Sequence, residues 1–112
     1  MNKDISKELQ EKLLLEQKKI LEKIMNLLLG KIDVSMKIVR NYSCETLVLE
    51  NPQKKSFHHI FFEEEKIILT KNFPDAKNGY TSTKKKSWDN FDELSNRIPR
   101  VCKILGYKKI TT

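Results

Sequence analysis

The chain is short of the residues that bend backbones. Only three of its 112 residues are glycine and three are proline, and Ala76 is the single alanine. So few glycines leave nothing from which to build a phosphate-cradling loop. Neither a P-loop nor a GxGxxG turn occurs, and the GxSxG nucleophile elbow is absent as well. Two cysteines, Cys44 and Cys102, are too few for a disulfide framework, and neither has the short ligand spacing of a zinc site. Both are expected to be reduced and at least partly buried, with a single bridge open if the compartment is oxidising. No apolar run is longer than three residues, Leu13-Leu14-Leu15 being one, so no membrane-spanning segment is expected. The opening MNKDISKELQEK alternates charges and has no signal-peptide core. The expectation is one intracellular, cytoplasmic domain over residues 1–112, with no membrane partner.

Charge is what the chain has in excess, and it is unevenly placed. The net charge is +7, with 19 lysines against three arginines. Residues 1–30 sum to +1, residues 31–65 to −1, and residues 66–112 to +7, so the whole surplus sits in the last 47 residues. Positive charge gathered on one part of a domain is the electrostatic footprint of a phosphate-backbone binder. A proteome that uses lysine as its default surface residue would also raise the total, though not the asymmetry.

Periodicity predicts an α+β fold: a long N-terminal helix (1–30), a four- to five-stranded antiparallel sheet (31–86), a C-terminal helix (87–106) and a basic tail (107–112). Asp4 or Ser6 can cap the first helix, which should run to Leu29 with Gly30 as its left-handed C-cap. Its stripes Leu13, Ile20, Ile24, Leu27 and Leu14, Leu21, Met25, Leu28 together make a broad apolar face. About 26 residues at 1.5 Å each give roughly 39 Å, longer than a small domain is wide. Either the sheet lies under only part of this helix, or its first turns pair with a second copy. In the dimer reading the interface is Leu13, Leu14, Ile20, Leu21 and Ile24.

Ile32, Val34, Met36 and Ile38 then alternate as in a strand, Tyr42-Ser43 reads as a break, and Thr46–Leu49 as a second strand. Phe57–Phe62 and Lys66–Phe73 read as a hairpin around Glu63-Glu64-Glu65. Pro74–Gly79 makes the next turn, marked by Asn78-Gly79, and Tyr80–Lys86 is the last strand. Phe91, Leu94, Ile98, Val101 and Leu105 have helical spacing. Pro99 either kinks that helix or sits in the first turn of a fresh one started near Asn96. Beyond Gly106 the tail is expected to fray.

Catalytic chemistry finds no foothold. His58 and His59 are strand neighbours, so they point to opposite faces and cannot easily share a metal. The three glutamates sit together at a hairpin tip, whereas paired catalytic carboxylates face each other across a cleft. Cys102 lies near an apolar helix stripe and has no activating histidine beside it in sequence. No catalytic residue, metal site or cofactor is assigned. The segment TSTKKKSW is more informative. On a strand Tyr80, Ser82, Lys84, Lys86 and Trp88 share one face, interleaving rings with lysines. Flat rings stack on unpaired bases and lysines track phosphates, as in proteins that hold single strands. Phe57, His59 and Phe61 share a parity upstream, and the sheet face without helices would expose them to bases or to a partner protein. The competing reading is that Trp88 caps the core and the lysines only keep the last strand soluble.

The spacing Phe91, Leu94, Ile98, Pro99, Val101, with Lys84-Lys85-Lys86 ahead of it, resembles the positive-cofactor-four family of transcription coactivators, over residues 44–105 at most. KKKSW carries no glycine where that family's basic segment has one. The resemblance implies four antiparallel strands followed by a helix, single-stranded DNA as ligand, and a dimer formed by helices. The expected nucleic-acid contacts are Lys84, Lys85, Lys86, Tyr80, Trp88 and Lys71, in a non-catalytic protein. The alternative is a small interaction or inhibitor protein, such as a phage or mobile-element product, that mates with an acidic protein surface.

Overall fold

The computed structural model describes residues 2–41, 44–75, 77 and 79–110, with the side chains of 2–5 and 41 left aside. Its order is α1 (Asn2–Leu28), β1 (Ser35–Asn41), β2 (Cys44–Glu50), β3 (Phe57–Glu63), β4 (Lys66–Asp75), β5 (Gly79–Trp88), α2 (Phe91–Ser95) and α3 (Ile98–Leu105). The strands form one antiparallel meander in the order β1-β2-β3-β4-β5. The expected α+β architecture, helix then sheet then helix, is therefore what the chain adopts. The break read at Tyr42-Ser43, the Asn78 half of the Asn78-Gly79 turn and the Asp4 side chain lie outside the described residues.

All three helices pack on the same sheet face. Leu21, Ile24 and Leu28 of α1, Leu94 of α2, and Ile98, Val101 and Leu105 of α3 share a core with Leu47, Leu49, Ile60, Ile67, Leu69 and Trp88. Alternate strand residues supply that core because side chains on a strand point to opposite faces. The buried α1 stripe is Leu14, Gln17, Leu21, Ile24 and Leu28, spaced three and four apart as one helix face requires. Gln17 belongs to it because its Oε1 accepts from Glu45 N at 3.1 Å. Arg40 fixes the same end of the helix, donating from Nε to Glu45 at 2.6 Å and reaching Glu11 at 3.5 Å.

That stripe corrects the dimer interface. Leu14, Leu21 and Ile24 are buried in the chain's own core, so they have no surface to offer a second copy. Leu13 is 50 % exposed, Leu9 63 %, and Ile20 is half-buried. The buried face of the helix begins at Leu14. The helix starts at Asn2, ahead of both capping candidates, so Ser6 is a helix residue and not its cap. Gly30 does adopt the left-handed conformation (φ 80°) expected of the residue that ends the helix.

Two further departures have local causes, and the structure decides between the two readings of Pro99. Ile32 precedes β1 and instead bridges to Lys109, while Asp33 N donates to Lys108 O and Ile110 N to Lys31 O. Residues 107–110 are thus tied down, and Tyr107 is buried. β4 continues through Pro74, which pairs with Tyr80. The last β3–β4 pair is Phe57 with Asn72, so Pro74 stands where β4 has only one neighbour and a missing N–H breaks no second ladder. Finally the C-terminal helix is two pieces rather than one kinked piece. Asn90 caps α2, accepting from Glu93 N at 2.8 Å, and Pro99 falls in the first turn of α3, where its absent donor has no partner to lose.

Candidate nucleic-acid interface

The helix-free face follows from the register. Cross-strand partners point the same way, so the row Lys37, Val48, His59, Thr70, Lys84 lies on the face opposite the core. The next row is Ser35, Glu50, Phe57, Asn72, Ser82. Tyr80, opposite Pro74, completes an aromatic group with Phe57 and His59. The ring centroids of Phe57 and Tyr80 are 5.1 Å apart and edge-to-face, and those of Phe57 and His59 are 5.2 Å apart. Phe61 shares the face with Ile68 and Ser87. FHHIFF therefore does what its parity predicted, placing Phe57, His59 and Phe61 away from the helices, each half-buried.

The Tyr80–Trp88 segment does not keep one parity. A bulge interrupts the β4–β5 ladder: Thr70 pairs with Lys84 but Leu69 pairs with Lys86, leaving Lys85 without an opposite residue. One inserted residue turns every later side chain to the other face. Tyr80, Ser82 and Lys84 consequently lie on the helix-free face, while Lys86 and Trp88 lie on the core side. Trp88 is 1 % exposed, so it packs beneath the helices and leaves the set of possible strand contacts. Lys84, Lys85 and Lys86 are all exposed. Among the described residues no carboxylate ion-pairs with any of the three.

Lys71 also falls on the core side, opposite His58 and Thr83. There it stands 4.9 Å from the Phe73 ring, with Lys85 on the same ring at 6.0 Å. This second basic group lies beside a hydrogen-bond chain. Tyr107 donates its hydroxyl to Leu49 O at 2.9 Å. The Tyr107 oxygen is 2.8 Å from His58 Nδ1, which must then be the protonated nitrogen. Burial, with Lys71, Lys85 and Lys54 nearby, lowers the His58 pKa to about 4. Burial, with Glu50 adding to it, pushes Tyr107 up to about 12. Lys54 is engaged structurally, donating to Gly106 O at 3.3 Å and lying over the Tyr107 ring.

A cleft of about 620 Å³ opens beside the aromatic group, lined by Glu50, Asn51, Pro52, Lys54, Lys55, Phe57, Pro74 and Tyr80. Asn72, Lys37 and Lys55 join the site only in three dimensions. Nothing in the sequence distinguishes them from other surface polar residues. Cys44 and Cys102 are free thiols, each half-buried, and burial raises the Cys102 pKa, which keeps that sulfur in its less nucleophilic form. Among the described residues no group of three or more His, Cys, Asp or Glu side chains converges as metal ligands, and no helix is long and apolar enough to cross a membrane. Compared with family models, curated proteins and solved structures, the chain matches none.

Proposed function

We propose that this chain is a non-catalytic, cytoplasmic protein that binds single-stranded nucleic acid across its helix-free sheet face. The observation that carries the reading is the cluster of Phe57, His59 and Tyr80 rings beside Lys84, a lysine with no carboxylate partner among the described residues. Rings give stacking surface that any base can use, and unneutralised lysines follow the phosphates. The contact set that supports it is Tyr80, Phe57, His59 and Lys84, with Lys85 and Lys86 at the sheet edge. The likeness of residues 44–105 to the positive-cofactor-four coactivators adds weight, since β2 to β5 followed by helix has the order which that likeness implies. Homodimerisation belongs to the proposal in a narrower form, through Leu9, Leu13 and Ile20 beside Phe62, where Leu13, Ile20 and Phe62 line an apolar groove.

Fluorescence anisotropy with a labelled single-stranded oligonucleotide tests the reading. Binding is expected at low salt, with loss on adding salt as counterions compete for the phosphates. Replacing Lys84, Lys85 and Lys86 together by Glu should abolish it while the circular dichroism stays unchanged. Undiminished binding by that variant would remove the proposal. The second reading, a small inhibitor that mates with an acidic protein surface, is favoured by β5. It is a ten-residue edge strand whose free side can accept a partner strand. Absence of any oligonucleotide binding at low salt would shift the balance to it.

A further inference from the structure

The Phe57–Tyr80 contact spans β4. These residues stand on β3 and β5, strands about 9.6 Å apart, and are offset by two residues along the sheet, yet their ring centroids are 5.1 Å from each other. The rings therefore lean inward and close over β4. Beneath them lie Pro74, opposite Tyr80, and Asn72, opposite both Phe57 and Ser82. Asn72 is 7 % exposed, and its buried Nδ2 donates to no partner among the described residues. A buried amide with an unused donor is unfavourable in the free protein. It becomes favourable when something brings an acceptor to it. The adjoining cleft has Pro52, Pro74 and both rings as apolar walls, with Lys55 at its margin. Glu50 also lines it, but Lys37 lies 3.9 Å from its carboxylate.

We propose that Phe57 and Tyr80 form a clamp for one nucleobase, and that the Asn72 amide beneath them donates to a carbonyl oxygen on the edge of that base. The inference rests on the nucleic-acid reading above and gives it a base preference. Thymine, uracil, guanine and cytosine each carry a ring carbonyl, whereas adenine has none, so adenine is disfavoured at this position. The base enters by parting an edge-to-face ring pair and replacing it with two stacked contacts. Its phosphate then lies toward Lys55 and Lys84.

The probe is a short strand of abasic residues carrying one thymine or one adenine, which removes any difference in self-stacking between homopolymers. The wild-type chain is expected to bind the thymine strand about tenfold tighter than the adenine strand, the scale of one added hydrogen bond to a buried donor. Asn72→Leu should bring the two affinities together and leave adenine binding unchanged. Because it deletes an unpaired donor and keeps the branched shape of the side chain, its melting temperature should match or exceed that of the wild type. Tyr80→Ala should weaken both strands. Displacement by free thymidine monophosphate but not by adenosine monophosphate also supports the clamp, and assigns its ligand to mononucleotides. Equal wild-type affinity for the two strands overturns the clamp while leaving the nucleic-acid reading intact. Failure to bind any strand or nucleotide at low salt overturns both.

Discussion

His58 sits in an environment unlike that of its sequence neighbour His59. Its Nδ1 is committed to Tyr107, and that hydroxyl is itself committed to Leu49 O. Its Nε2 is buried without a partner among the described residues, near the cationic Lys71, Lys85 and Lys54 and beside His59. The folded chain holds the ring neutral down to a pKa of about 4, against 6.5 for an ordinary histidine. The unfolded chain takes up the proton first. The stability from a neutral His58 is therefore complete above pH 6.5 and falls as pH drops toward 4. A shift of this size corresponds to on the order of 3 kcal/mol. Urea unfolding at pH 7 and at pH 4.5 should show the wild type losing more stability than His58→Gln. Equal losses in the two proteins would mean the ring is not held neutral. On the strand next to it, His59 has its pKa lowered by burial as well, yet it faces away from the helices and contacts Phe57. Strand parity alone separated these two histidines, and it was readable from their adjacency.

At the scale of elements, the β3–β4 hairpin is the clearest conflict between sequence and backbone. Glu63 pairs with Lys66, so only Glu64 and Glu65 form the turn, with φ of 51° and 67°. Two successive left-handed residues make the turn type that matches strand twist, for which Asn-Gly is the favoured pair. Glutamate pays a steric penalty in that region. Replacing Glu64-Glu65 by Asn-Gly should stabilise the protein by about 1 kcal/mol and raise its melting temperature by roughly 4 °C, measured by calorimetry; an unchanged or lower value would count against a strained turn. Apolar periodicity made the elements legible: the helices, the hairpin and the core residues Leu47, Leu49, Ile60, Leu94 and Leu105 all follow it. The site was less legible because one bulge reverses strand parity. KKKSW has no glycine or proline to mark where Lys85 is inserted, so simple strand parity groups Trp88 with Tyr80 although it faces the core. The tail hid its role for a related reason. Its docking depends on Tyr107 meeting His58, a contact 49 residues away, and no local pattern encodes that.

Across the whole molecule, the bulge divides a charge surplus that looks uniform in the sequence. The chain is a slab of 52 × 38 × 21 Å, with its helices on one side and Phe57, His59 and Phe61 on the other. Lys84 belongs to the aromatic side. Lys85 and Lys86 belong to the edge and the helix side, where Lys71 and Phe73 already form a basic patch. A strand lying on the aromatic face passes Lys84 closely and the other two at a distance, where salt screens them within about 10 Å. Single reversals should therefore separate. Lys84→Glu is expected to lower single-strand affinity about tenfold and to flatten the plot of log affinity against log salt by close to 0.7, the slope of one phosphate contact on a single strand. Lys86→Glu should lower affinity less and leave that slope nearly unchanged. The opposite ranking would move the strand to the helix side, onto Lys71, Phe73 and Lys85, and would take the Phe57–Tyr80 pair out of the interface. Equal effects would describe a diffuse electrostatic surface with no defined path. The ranking of Lys84 and Lys86 thus reports which broad face of the slab the strand occupies, since only the inserted Lys85 separates them.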